Sequence, residues 1–301
     1  ECHRSQFGDM HQGIVKSFKN YHIFGFTGTP IFASNAGSAG DPLLRTTEQA
    51  FGEELHTYTI VDAIRDCNVL PFKIDYTNTV KMPDYIDDKK VYTIDREKAL
   101  ADPRRISEIV SYVLDHFDQK TKRSSFYTFT AKWEEQDKDD KRARIENRET
   151  RRLAGFNSIF AAASIPMAIK YYAEFKKQTE AKKRKLVLAT IFSFSANEEE
   201  PEGLLPDEDF NIENLDQSSR DFLDSAIKDY NAVFNTNYDT SSDKFQNYYK
   251  DLSLRMKNRE IDILVVVNMF LTGFDATTLN TLWVDKNLRQ HGLIQAFSRT
   301  N

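Results

Sequence analysis

Cysteine is nearly absent. Cys2 and Cys67 are the two present in 301 residues, which excludes a disulfide framework and sets the expectation of a reducing, cytoplasmic location. Long apolar runs are missing as well. The stretches "IDILVVVNMFL" and "FNSIFAAAS" fall well short of the about 20 residues that a membrane span needs, so they read as buried strands and no membrane insertion is expected. The first twenty residues carry charges throughout and hold no apolar segment, so nothing there reads as a secretory signal. No initiating methionine stands at position 1, which reads as a piece of something longer. Two chemical signatures are absent: a glycine-rich phosphate loop ending in Lys-Ser/Thr, and a paired Cys/His cluster of the kind that holds zinc. The net charge of −5 argues against a surface coated all over by nucleic acid, but leaves room for a local basic groove.

What is present is the composition of a globular α/β protein, 40% hydrophobic and 29% charged, over a length that suits two domains. "YHIFGFT" reads as a buried strand stopping at Gly28 and Pro30, and "IFASNAGSAGD" as a loop. "TIVDAIRDCNVL" has helical spacing, and "PFKIDYTNTV" alternates like a strand near a domain junction. After Pro103, Ile106, Ile109, Val110, Val113, Leu114 and Phe117 recur on one helical face. The densely charged stretch 132–152 reads as the solvated face of a helix. A strand over 156–164, a helix opened by Pro166, and the strand "KLVLATIFSF" come next. Between Glu198 and Asp216 every charged residue is acidic, which reads as a loop. Two amphipathic helices are marked by Phe222, Leu223, Ala226, Ile227, Tyr230 and Phe234, and by Phe245, Tyr249, Leu252 and Met256. The chain closes with strand "IDILVVV", loop "NMFLTGFDATTL", strand "TLWVD" and helix "GLIQAFSRT". Strands apolar on both faces and alternating with helices imply parallel sheets covered on each side. Ligands of such sheets collect at the carboxyl ends of the strands.

Four stretches at those ends carry chemistry. "ECH" lacks the partners of a zinc site, and as a buried triplet it would be costly. It also fits the tail of an acidic NTPase motif, and three residues alone do not decide. "FTGTP" places two hydroxyls, Thr27 and Thr29, around Gly28 after an apolar stretch. "FLTGFDA" offers a threonine hydroxyl at Thr272, close backbone approach at Gly273 and a carboxylate at Asp275. "QAFSRTN" puts Gln295 and Arg299 four residues apart, on one face if helical, where an amide and a guanidinium suit a polyphosphate.

Their order and spacing resemble the superfamily 2 helicase-type motors, and specifically the motor (R) subunit of type I restriction enzymes. "ECHRSQFG" is similar to that family's motif II end, "FTGTPI" to motif III, "NMFLTGFDA" to motif V and "LIQAFSRTN" to motif VI; "FNSIFAAASIPMAIKYY" and "LATIFSFSANE" sit in its motif IV region. The resemblance implies two RecA-like helicase domains: the C-terminal part of the first over 1–60, and a nearly complete second over 61–301, with a charged insertion around 132–152 and an acidic loop at 198–216. It implies that Glu1 polarises the attacking water and that His3 senses the nucleotide. Thr27, Gly28 and Thr29 would couple hydrolysis to domain movement. Thr272 would touch the DNA backbone, with Ser164 and Thr190 as lesser candidates. Gly273 and Asp275 would lie near the nucleotide, with Gln295 and Arg299 closing over its phosphates. The implied parent is an ATP- and Mg²⁺-dependent double-stranded DNA translocase and endonuclease that works with methyltransferase (M) and specificity (S) subunits. The departures are the missing phosphate loop, the missing Asp before Glu1 and the missing second motif VI arginine, so the chain alone is expected to be catalytically incomplete. Another superfamily 2 translocase, or a nucleic-acid-binding module without hydrolysis, stays open. The basic run "KKQTEAKKRK", six Lys/Arg against one Glu, reads either as a DNA track or as a solvated helix end.

Overall fold

The structure, a computed structural model, describes residues 9–28, 30–33, 46–79, 98–136, 144–192, 215–288 and 290–300. Within them the helices are α1 (Asp9–Ser17), α2 (Thr47–Phe51), α3 (Ile60–Arg65), α4 (Pro103–Lys120), α5 (Ile165–Ala181), α6 (Gln217–Phe234), α7 (Ser242–Lys257) and α8 (Gln290–Phe297), the last followed by a 3₁₀ turn, Ser298–Thr300. The strands are β1 (Phe126–Gln136), β2 (Arg144–Ala154), β3 (Asn157–Ala162), β4 (Leu188–Ile191), β5 (Ile263–Val266) and β6 (Leu279–Asp285).

Helix α4 begins where the backbone is both capped and pre-set. The Asp102 carboxylate accepts from Arg104 N at 2.7 Å, and Pro103 supplies a fixed φ in the first turn. Its apolar face, Ile106, Val110, Val113, Leu114 and Phe117, is buried. Helix α5 opens the same way, with Ser164 as N-cap and Pro166 in its first turn.

Four strands form one parallel sheet in the order β4-β5-β3-β6. Every residue of β3 and β5 is buried, so both faces of the sheet are covered. The helices follow the strand order: α4 lies by β6, α5 over β3, β5 and β4, and α6 by β4. Helix α7 adds Phe245, Tyr248, Leu252 and Met256 to the same core. Its Met256 carbonyl accepts from Asn157 Nδ2 at 2.7 Å and from Thr278 Oγ1 at 2.9 Å, which locks the helix end to the beginnings of β3 and β6. The α/β architecture with a parallel sheet is the one that the alternating pattern implies.

Three local expectations are corrected. The charged stretch 132–152 is not a helix face. Its described residues, 132–136 and 144–152, belong to an antiparallel two-stranded ribbon, β1 with β2, in register from Phe126↔Ala154 to Gln136↔Arg144. Charged side chains suit a ribbon as well as a helix when alternation sends them to solvent, and Tyr127, Phe129 and Ala131 supply the inward positions. "YHIFGFT" is not a buried strand, because Tyr21, Phe24 and Phe26 are exposed and the segment joins no ladder among the described residues. An apolar alternation makes a strand only when a neighbour exchanges backbone hydrogen bonds with it. "PFKIDYTNTV" likewise forms no strand over 71–79. Side-chain contacts hold that stretch instead: Phe72 meets the Phe297 ring at 6.1 Å, Asp75 pairs with Lys120, and Thr79 Oγ1 accepts from Arg105 Nε at 3.2 Å. Residues 193–214, most of the acidic loop, lie outside the described residues.

Candidate functional site

Parallel strands deliver their carboxyl-end loops to one edge of the sheet, and that edge carries the polar chemistry. Strand β5 runs into the loop 267–278. Its first residues stay in the core, with Val267, Phe270 and Leu271 fully buried. Phe270 holds a left-handed backbone (φ 66°) between two ring contacts, Tyr249 at 5.1 Å and Phe274 at 4.7 Å. Beyond it the chain turns tightly. Phe274 N donates to the Thr272 carbonyl at 2.8 Å, and Gly273 between them has φ 67°. An added Cβ at Gly273 would have no atom within 4 Å, so glycine serves the backbone angle and leaves open space above the loop. Thr272 is buried; Gly273 and Asp275 face outward.

Arg299 reaches this loop from the far end of the chain. The 3₁₀ turn after α8 brings its guanidinium across, and Nη1 donates to the Phe274 carbonyl at 2.5 Å. Nε donates to the Gln295 carbonyl at 3.1 Å, and Nη2 to Ser298 Oγ at 3.0 Å. A hydrogen bond from a charged donor adds about 2 kcal/mol net, so this contact ties α8 to the loop. Thr272, Gly273, Asp275, Gln295 and Arg299 are thus gathered at one place, though Arg299 stands on a 3₁₀ turn rather than on an α-helix.

The same edge holds groups that the sequence reading does not single out. Asp285 ends β6 and pairs with Arg105 from the first turns of α4, while Tyr171 of α5 donates to the same carboxylate. Burial opposes the charge of Arg105, but the Asp285 carboxylate and the Tyr171 ring outweigh it and hold the guanidinium above its ordinary range. Burial, then the bond to Asp285, pushes the Tyr171 hydroxyl far above a phenol's usual value. Next in the chain, Lys286 donates to the Val267 carbonyl at 3.1 Å and to the Asn268 side chain, clamping the start of the 267–278 loop. The strand-end rule reaches Asp285 and Lys286, since "VDK" directly ends an apolar strand; nothing local marks Arg105.

Other expected residues stand elsewhere. Thr190 is not available to DNA. It is 1% exposed within β4, and its hydroxyl donates to the Val265 carbonyl at 3.0 Å, because a threonine in a covered sheet must satisfy its hydroxyl inside. Ser164 is half-buried and accepts from Met167 N at 3.4 Å as the cap of α5, at the carboxyl end of β3. Thr27 and Gly28 lie on the irregular stretch 21–28, outside the sheet. Glu1, His3 and Thr29 lie outside the described residues. The basic run is largely neutralised: Lys176 pairs with Asp229, Lys177 with Glu174, Lys182 with Asp115 and Arg184 with Asp118. That pairing favours the solvated helix end over a DNA track. Among the described residues no group of three or more His, Cys, Asp or Glu could hold a metal ion, so no Mg²⁺ site is assigned to them.

Comparison with known proteins matches this layout. A family model described as type I restriction enzyme subunit R domain 3 matches residues 154–301, and one described as SWI2/SNF2 ATPase matches residues 1–105. The chain is 41% identical over 305 residues to a type I restriction enzyme endonuclease subunit of Staphylococcus aureus strain COL, an alignment covering 100% of this chain and 28% of that protein. It is 41% identical over 306 residues to a type I restriction enzyme endonuclease subunit of Staphylococcus saprophyticus, with the same coverage. A putative type I restriction enzyme endonuclease subunit of Methanocaldococcus jannaschii is 25% identical over 334 residues, covering 100% of this chain and 26% of that protein. The chain therefore spans under a third of the length of these relatives.

Proposed function

The chain belongs to the family of type I restriction enzyme endonuclease (R) subunits, and from that premise we propose that it contributes the nucleotide-closing edge of an ATP-driven translocase of double-stranded DNA. One observation carries the reading: Arg299 is bonded to the carbonyl of Phe274, so the "FLTGFDA" loop and the "QAFSRTN" segment form one cluster at the carboxyl edge of a parallel sheet.

The residues present fit one side of a nucleotide site. The space over Gly273 lets a polyphosphate approach the backbone, and the partly buried guanidinium of Arg299 stands at the rim with fixed geometry. Bound ATP would supply the phosphoanhydride whose γ-phosphoryl group is transferred to water, with Mg²⁺ held by residues beyond those described. Arg299 then neutralises charge that builds on the phosphoryl oxygens. Gln295 and Asp275 orient the nucleotide, Glu1 polarises the water and His3 reports nucleotide state to the neighbouring lobe. Thr27, Gly28 and Thr29 pass that state into movement; Thr272, expected to touch the DNA backbone, is buried and like Thr190 is not exposed to it. The domain division falls at 60/61, a reading supported by Phe72, Asp75 and Thr79, which make their contacts with residues 297, 120 and 105. The whole protein then acts in the cytoplasm as a restriction endonuclease with M and S subunits; no described helix is long and apolar enough to cross a membrane.

The test is Arg299→Ala in the full-length protein. DNA-stimulated ATP hydrolysis should fall by about 10³-fold with an unchanged circular dichroism spectrum. Turnover at the wild-type rate would remove Arg299 from the site, and absence of DNA-stimulated hydrolysis in the wild-type protein would leave a binding module without hydrolysis as the better reading.

A further inference from the structure

Strand order leaves the two halves of the cluster without a ladder of their own. β3 lies between β5 and β6, so the loop after β5 and the segment after β6 leave the sheet two strand spacings apart, about 10 Å. The three strands end level, with Val266, Ala161 and Val284 in one row. Lys286, the first residue after β6, crosses that gap. Its ammonium donates to the Val267 carbonyl at 3.1 Å and to the Asn268 side-chain oxygen. The four-carbon stem of a lysine gives the reach, and β3 runs out in the alanines of "AAAS", whose small side chains leave room above them.

Both ends of this bridge are fixed. Behind Lys286, the Asp285 carboxylate accepts from Arg105 and from Tyr171. Ahead of it, Leu288 N donates to the Lys286 carbonyl at 3.1 Å, in the turn that leads to α8. Across the gap Asn268 is buried, and its carbonyl accepts from Leu271 N at 3.2 Å in the first turn of the loop. The sheet itself does not need the lysine, because β3 already pairs with both neighbours. What the lysine adds is the direction in which the loop leaves β5. Arg299 Nη1 donates to the Phe274 carbonyl in that same loop, so the loop's direction also sets where the guanidinium stands.

We propose that Lys286 is a positioning residue: held to Val267 and Asn268, it sets the course of the 267–278 loop and thereby the placing of Gly273 and Arg299. The inference rests on the reading of this cluster as a nucleotide-closing edge and adds to it the side chain that orients the loop. Arg299 acts there on charge that builds in the transition state, so a displaced loop lowers kcat rather than raising KM.

The experiment follows the full-length protein by DNA-stimulated ATP hydrolysis and by amide hydrogen exchange. Lys286→Met keeps the stem and removes the donors. Its kcat should fall about 10- to 100-fold, the cost of a misplacement near 1 Å, with KM for ATP within about twofold of wild type. Lys286→Arg should recover part of the loss, since it restores a charged donor. Asn268→Leu should lower kcat by a smaller factor, and the double variant should fall no further than Lys286→Met, because the two residues act as one unit. The amides of Leu271 and Phe274, bonded within the loop, should exchange about 10-fold faster in Lys286→Met. If that variant does not fold, Asn268→Leu, which leaves the lysine in place, carries the kcat and exchange expectations alone. A folded Lys286→Met with wild-type kcat overturns the proposal, as do a rise in KM alone, strictly multiplicative losses, or unchanged exchange of the two amides. The motor reading is judged separately, by hydrolysis in the wild type and in Arg299→Ala. Should it fall, the exchange rates still decide whether Lys286 sets the loop.

Discussion

At Gly155 the backbone turns with φ 64° between β2 and β3, and a Cβ built there would stand 2.8 Å from Arg123 Cα and 2.9 Å from the Thr121 carbonyl oxygen. Both neighbours are backbone and cannot swing aside. At Gly273 the angle is similar, φ 67°, but no atom lies within 4 Å. Gly155→Ala should therefore cost about 3 kcal/mol or more, the left-handed penalty plus overpacking, and Gly273→Ala only the penalty of about 1–2 kcal/mol. Urea unfolding of the two variants beside the wild type measures the difference. Gly273 is legible in the sequence because it sits in a recognisable loop. Gly155 is not, since its constraint comes from a helix end some thirty residues upstream that the local sequence "LAGFN" does not mention.

At the scale of the element, α6 shows how a helix end carries pH dependence. The Asp216 carboxylate accepts from the Ser218 and Ser219 side chains and from Ser219 N. These bonds, the Ser218 hydroxyl foremost, lower its pKa to about 2. A folded-state value below the ordinary aspartate value of about 4 means that the cap's contribution is complete above about pH 4 and is lost as pH falls through about 2. Asp216→Asn keeps an N-cap acceptor but removes the titration, so its stability should be flatter than wild type between pH 4 and pH 2 when followed by thermal unfolding. Which elements are legible in the sequence depends on the same kind of local physics. Helices α4, α6 and α7 are readable because burial on a fixed face imposes a period, and strands β3 and β5 because burial on both faces makes a short unbroken apolar run. The ribbon is not, because charge density hides an alternation that only Tyr127, Phe129 and Ala131 mark. Residues 21–27 and 71–79 carry a strand's pattern, but no ladder among the described residues forms along them.

For the whole molecule, the Arg105–Asp285 pair is a tie of long reach. It joins the start of α4 to the end of β6 across 180 residues of chain, and it collects Tyr171 of α5 and Thr79 of the preceding segment. Arg105→Met would leave Asp285 half of a broken buried pair, at a cost of about 3 kcal/mol, and adding Asp285→Leu should recover part of that loss. The urea midpoints of the single and double variants test it. Such a tie cannot be read from sequence, since no local pattern connects positions 105, 171 and 285, whereas Gln295 and Arg299 announce themselves by spacing. Sheets also have margins. On β4 the hydroxyl of Tyr248 donates to the Thr190 carbonyl at 2.8 Å, and the strand is only four residues long. A side chain thus occupies a position where a foreign strand would otherwise dock, and the protein is guarded there against edge-to-edge aggregation.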